Sequence, residues 1–162
     1  MPSDDERLKL GYEMAKILLA AQDRTVANLR TRASGILATT ALVVTFSTAT
    51  GLLRFDVNKN LLFPHWGTLA LLVIFVAQGV SVMVVLWPVS FSFGHSVRGV
   101  IDPPPELKAG APLTYQLVSS MVDDIQANSV HIRRMARSLQ VAIALLLVEV
   151  ATILIALGTL ER

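Results

Sequence analysis

Apolar and polar residues fall in blocks along this chain, and within each block they repeat with a helical period. Between Asp4 and Thr31, steps of four and three lead through Leu8, Tyr12, Ala15, Leu19, Gln22, Val26, Leu29 and Ala33, the seam of a helix that packs on another helix. Ser3 or Asp4 can cap it, and Asp4, Asp5 and Glu6 complement the positive end of its dipole. Lys9, Glu13, Lys16, Asp23, Arg24 and Arg30 occupy the other face, as a solvated surface requires. No proline or strong break separates this helix from a first apolar segment, residues 33–53. That segment is rich in small hydroxyl residues: Ser34, Thr39, Thr40, Thr45, Ser47, Thr48 and Thr50, with Gly35 and Gly51. In lipid such residues mark faces where helices approach closely and hydrogen-bond, so the segment is expected against protein. Lining a wet path in an oligomer is the functional alternative to plain packing.

A polar connection, residues 54–66, supplies turn chemistry through Asp56, Asn58, Lys59 and Asn60. The next apolar run, residues 67–88, is bracketed by Trp66 and Trp87, which are about 31 Å apart along a helix, as the two aromatic belts of a bilayer are. Pro88 and the run from Ser90 to His95 end it. Residues 89–138 begin as a linker broken by Gly94, Gly99, Pro103, Pro104, Pro105, Gly110 and Pro112. They continue from near Leu113 as a second amphipathic helix with a seam through Val118, Val122, Ile125, Ser129, Ile132, Ala136 and Leu139. That helix feeds into the last run, residues 139–160, whose 22 positions extend about 33 Å as a helix, enough to cross the ~30 Å hydrocarbon core.

The expected fold is therefore all-α and integral to the membrane. It has three transmembrane helices, two of them continuous with cytoplasmic amphipathic helices that pair, the first of these being residues 1–32. Composition agrees: 53% of the residues are hydrophobic, above the roughly 45–50% of soluble domains. The polar, acidic start does not resemble a cleavable signal. With no cysteine, disulfides, thiolate metal sites, Cys nucleophiles and prenyl or palmitoyl anchors are excluded. A formal charge of +2 gives no reason to expect nucleic-acid binding.

Charge placement says more than its sum. Eleven cations stand near the N-terminal stretch and the long loop: Arg7, Lys9, Lys16, Arg24, Arg30, Arg32, Arg98, Lys108, Arg133, Arg134 and Arg137. Arg54, Lys59 and Arg162 are the three on the other side. By the positive-inside rule the N-terminus and the linker are cytoplasmic and the C-terminus external.

Glu149 sits near the centre of the last run, where an unpartnered carboxylate costs at least a few kcal/mol and ionisable residues face protein or water. Gln78 lies at similar depth in the second run, and a carboxyl–amide hydrogen bond would relieve both. Structural glue and a proton or ion pathway are the two readings of this pair. Arg30 and Arg32 precede the first span, and His131, Arg133, Arg134 and Arg137 precede the third. Paired cytoplasmic helices would gather them into a basic collar that grips anionic lipid at about 1 kcal/mol per charge. The sharper reading is a phosphate-binding pocket, since the guanidinium fork matches phosphate oxygens, with Asp123 and Asp124 near enough to reach ribose hydroxyls. Catalysis finds no support: His65, His95 and His131 are scattered, and no zinc-protease, dinucleotide or P-loop motif occurs. No cofactor or metal is expected.

The order of parts resembles the small bacterial membrane effectors of antiphage signalling, closest to the Pycsar transmembrane effectors and more loosely the SLATT-type effectors. The likeness rests on the entry Arg30-Thr31-Arg32-Ala33-Ser34-Gly35-Ile36-Leu37 and on the basic helix His131-Ile132-Arg133-Arg134-Met135-Ala136-Arg137 running into the last span. It implies an effector that senses a cyclic pyrimidine nucleotide, cyclic CMP or cyclic UMP, made by a neighbouring cyclase during infection. Such an effector then oligomerises or opens, impairs the inner membrane, and kills the cell by abortive infection. A constitutive membrane scaffold or accessory subunit that binds a partner through its spans is the rival expectation.

Overall fold

A computed structural model describes residues 4–49, 65–89, 91 and 113–160. Three helices account for nearly all of them: α1 (Asp4–Ala49), α2 (His65–Leu86) and α3 (Leu113–Leu160). α1 has 46 residues and α3 has 48, so each is about 70 Å long, more than twice the bilayer core. Two helices are long and apolar enough to cross a membrane: α2 over Gly67–Leu86, and α3 within Tyr115–Ile155. The end of the first apolar segment, the 54–64 connection and the linker from 92 to 112 lie outside the described residues.

α2 starts at His65 and stops at Leu86, about two residues earlier at each end than the apolar run suggests. One further bond, from the Trp87 amide to the Met83 carbonyl at 2.8 Å, closes the last turn. Pro88 has no N–H with which to make the next.

All three helices bury a stripe that repeats every seven residues. The buried positions include Leu19, Val26, Ala33, Thr40 and Ser47 on α1, Leu71, Gln78 and Val85 on α2, and Met121, Asn128, Met135, Ala142 and Glu149 on α3. A strict seven-residue step is the signature of helices that coil around one another at a shallow angle. The eight α1 positions picked out by the sequence pattern are all buried or half-buried. The α3 seam holds at six of its seven positions: Val118, Ile125, Ser129, Ile132 and Ala136 are half-buried and Leu139 is buried, while Val122 is 51% exposed. Beside it Met121, Asn128 and Met135 are buried more deeply, and a pattern built from apolar residues passes over the amide among them.

The chain divides into two compact units. The first comprises Met1–Asn28 and Pro88–Arg134. There Ala15 and Leu19 of α1 form a buried cluster with Met121 of α3, flanked by Tyr12, Leu117 and Ile125. The Gln22 side-chain amide donates to the Ile125 carbonyl at 2.9 Å, and a Cβ on Gly11 would rest in ordinary contact, 3.5 Å from Val118.

The second unit comprises Leu29–Trp87 and Met135–Arg162. Its outer surface is apolar: Leu42, Leu69, Val73, Val76, Val80, Leu147, Leu154 and Ile155 are all exposed. Its interior holds Leu71, Val82, Val85, Ala142 and Ile153 together with the polar Thr40, Ser47, Thr68, Gln78 and Glu149. That is the reverse of a soluble protein, in which buried polar residues are the exception and large exposed apolar patches mark contact surfaces. It is the arrangement that lipid as solvent selects.

Candidate functional site

The polar layer inside the second unit is the candidate site. Glu149 and Gln78 are both fully buried, at 0% exposure. Each is inside because of its phase: Glu149 follows Met135 and Ala142 at seven-residue steps, and Gln78 stands midway between Leu71 and Val85. Thr40 reaches the same interior seven residues after Ala33.

Thr40 donates its hydroxyl proton to the Ile36 carbonyl at 2.8 Å, which leaves its Oγ1 only lone pairs to offer a neighbour. The Gln78 amide nitrogen donates to that oxygen at 2.7 Å, a buried bond between α1 and α2. The order of donors fixes the orientation of the amide and leaves Gln78 Oε1 with no hydrogen-bond partner. Neither Oε1 nor Oε2 of Glu149 has a partner among the described residues. The hydrogen bond expected between Gln78 and Glu149 is not made: one N–H of the amide goes to Thr40, and neither its second N–H nor its oxygen reaches the carboxyl. Sequence reasoning missed Thr40 in this role, although its seven-residue spacing from Ala33 would have found it.

Other hydroxyls of the first apolar segment turn back on their own helix. Ser47 donates to Val43 and Thr48 to Val44, while Ser34, Thr39 and Thr45 do the same to the carbonyls four residues before them. Such back-bonding satisfies a hydroxyl without a second helix. Among the described members of that segment's hydroxyl residues only Thr40 and Ser47 are buried within one chain, so much of the expected protein-facing surface is exposed here.

An apolar groove of about 340 Å³ fixes the level of Glu149 within this unit. Leu42, Val43 and Phe46 of α1 line one side, and Val150, Ile153 and Leu154 of α3 the other. Glu149 thus comes level with about residue 43 of α1, roughly 4.5 Å along the axis from Thr40 and its bond to Gln78.

The six residues of the basic collar are divided between the units. Arg30, Arg32 and Arg137 belong to the second, and His131, Arg133 and Arg134 to the first. Arg30 is half-buried with its Nε–H unpartnered, whereas Arg32, His131, Arg133, Arg134 and Arg137 are exposed. The His131 ring stands edge-on to Phe91, with ring centroids 6.4 Å apart and planes at 83°. Asp123 is exposed and Asp124 half-buried. Among the described residues no group of three or more His, Cys, Asp or Glu side chains is placed to hold a metal ion.

No protein-family model matches the chain, nor does any curated protein or solved structure. The chemistry on offer must therefore be read from the residues themselves. The second unit carries unpartnered hydrogen-bond acceptors among its described residues, and the stretches just before the apolar parts of α1 and α3 carry exposed cations.

Proposed function

We propose that the protein is a three-span membrane effector, activated by a small anionic signal on its cytoplasmic side, that impairs the bacterial inner membrane. The observation that carries this reading is the continuity of α1 and α3: each is one unbroken helix from a charged stretch into an apolar one. A long helix transmits a shift or rotation along its whole length, because its backbone hydrogen bonds resist local yielding. An anion that draws together the arginines just before the apolar parts of these helices therefore repacks the apolar parts as well.

In this reading the first apolar segment of α1 is the third span. The amphipathic portions of α1 and α3 lie together in the cytoplasm, and the C-terminus is external. Arg30, Arg32, His131, Arg133, Arg134 and Arg137 are the candidate ligands, with the unpartnered Nε–H of half-buried Arg30 the strongest single pointer to an anion. The resemblance to the Pycsar effectors suggests cyclic CMP or cyclic UMP as the anion and antiphage abortive infection as the outcome. The protein is read as a homo-oligomer and not as an enzyme.

The deciding experiment uses the full chain reconstituted in vesicles that carry a potassium gradient and a potential-sensitive dye. Cyclic CMP or cyclic UMP should collapse the potential within seconds, with cyclic AMP as the inactive control. No response to either pyrimidine nucleotide removes the effector reading.

A second reading, a constitutive scaffold that binds a partner, draws on Leu10, Met14, Ile17 and Leu18, all more than half exposed on the charged part of α1. Co-purification of a stoichiometric partner from the native membrane, with no nucleotide response, would support it.

A further inference from the structure

A carboxylate in a protein interior persists when donors or a positive charge stand beside it, and among the described residues no hydrogen bond or positive charge reaches Glu149. The Thr40, Ser47 and Thr152 hydroxyls donate to the carbonyls of Ile36, Val43 and Val148. The Gln78 amide donates one N–H to Thr40 and keeps its second as an unused donor, fewer than the oxygens to be met. Three acceptors are left over: Oε1 and Oε2 of Glu149 and Oε1 of Gln78. Residues 33–49 of α1, 67–86 of α2 and 138–155 of α3 contain no ionisable side chain except Glu149, so no charged or titratable group of these elements faces it. The register through Thr40 and the groove brings Gln78 and Glu149 to within about 4.5 Å of one level.

We propose that Glu149 and Gln78 form an intramembrane site for one monovalent positive charge, carried by either a proton or an alkali cation. The surplus of oxygens is what such a charge requires. A proton on Glu149 turns one acceptor into a donor for Gln78 Oε1, settling two of the three orphans at once. An alkali cation would instead take all three oxygens as ligands, as hard cations do. Either way the charge offsets the one ionised group in an apolar shell. The site does not depend on the nucleotide reading, and its test contains no nucleotide.

The test uses the purified full chain in detergent and an apolar carbodiimide, N,N′-dicyclohexylcarbodiimide. This reagent adds to a protonated carboxyl in apolar surroundings, and the resulting N-acylurea is read by mass spectrometry. The expected result is a single adduct on Glu149 that is absent from Glu149→Gln. If NaCl or KCl slows the labelling and raises Tm saturably, while choline chloride at equal ionic strength does neither, the charge is an alkali cation. If labelling ignores these salts and falls as pH rises, the charge is a proton. In either case Gln78→Leu should shift the half-protecting salt concentration or the midpoint pH. Absence of both adduct and salt-dependent Tm overturns the site, and an unshifted midpoint in Gln78→Leu overturns the role of Gln78. Glu149→Gln keeps the side-chain volume and brings its own donors, so it should fold with a Tm equal to or above the wild type and serve as the folded control.

Discussion

Gln78 donates to Thr40 at 2.7 Å while Thr40 donates to its own helix at the Ile36 carbonyl, so the contact between α1 and α2 runs in one direction only. Thr40 cannot return a proton to Gln78, and the amide oxygen is left over. The bond holds two helices together and at the same time creates the oxygen surplus around Glu149. Packing and chemistry in this layer are therefore one property.

That one-way bond predicts a non-additive pair of substitutions. Thr40→Val strands a fully buried amide and should destabilise the protein by about 1–2 kcal/mol. Thr40→Val combined with Gln78→Leu removes both polar partners and should recover most of the loss, since an apolar pair of similar shape needs no hydrogen bonds. Unfolding in mixed micelles measures both. A double variant less stable than Thr40→Val alone would show that Gln78 has another partner.

The phase of α3 can be checked by neighbours in sequence. Met121→Ala should cost about 2–5 kcal/mol by opening a cavity in the cluster with Ala15 and Leu19. Val122→Ala, one residue on and half exposed, should change stability by less than about 0.5 kcal/mol. Equal losses at the two positions would restore the seam read from apolar spacing.

These two sites show how far the sequence was legible. The α1 seam was readable because its inward positions from Leu8 to Ala33 are apolar in nearly every case. The α3 seam was readable except at Val122, which is exposed, and it passed over the deeply buried Asn128 because a count of apolar residues skips an amide. Glu149 announced itself as the only acid in an apolar run, and its burial follows from any helical phase that keeps it from lipid. Its lack of a donor could not be read, because that depends on where the Thr40 and Ser47 protons go. A hydroxyl in an α-helix chooses between its own backbone and a neighbour by local geometry alone.

The absence of native cysteine makes the proposed topology directly testable. Single-cysteine variants Pro104→Cys and Arg162→Cys should differ in labelling by a membrane-impermeant maleimide on intact inner-membrane spheroplasts. Arg162→Cys should react at once and Pro104→Cys only after permeabilisation. Equal reactivity at the two positions would mean that α3 does not cross, and the same comparison of Ser3→Cys with Asn58→Cys, of which only Asn58→Cys should react at once, tests the first segment of α1.

The exposed cations near the middle of α3 separate lipid anchoring from ligand binding. Arg133→Glu together with Arg134→Glu should abolish the dye response to cyclic CMP or cyclic UMP if these side chains grip a phosphate. Loss of two lipid contacts alone should leave the response intact. The dye response of the reconstituted double variant distinguishes the two.

The outward side of α1 yields the last prediction. Ile17 is 65% exposed and Leu10 and Met14 nearly as much, in a stretch that also carries Lys9, Glu13 and Lys16 and so is built for water. Continued along α1, the seven-residue spacing from Met14 leads through Ala21, Asn28 and Gly35 to Leu42, every one of them exposed, and nothing lies within 4 Å of a Cβ on Gly35. Lipid can cover Leu42 but not Met14, whereas a second α1 running in the same direction could cover both, with Gly35 permitting close approach. In the cysteine-free background, Met14→Cys should form an inter-chain disulfide under mild oxidation, and Ala15→Cys, its buried neighbour, should not. Ile17→Glu and Gly35→Leu should each lower the mass of the complex in detergent without loss of helicity. Crosslinking at Ala15 in preference to Met14 would place the seam between copies on the opposite face.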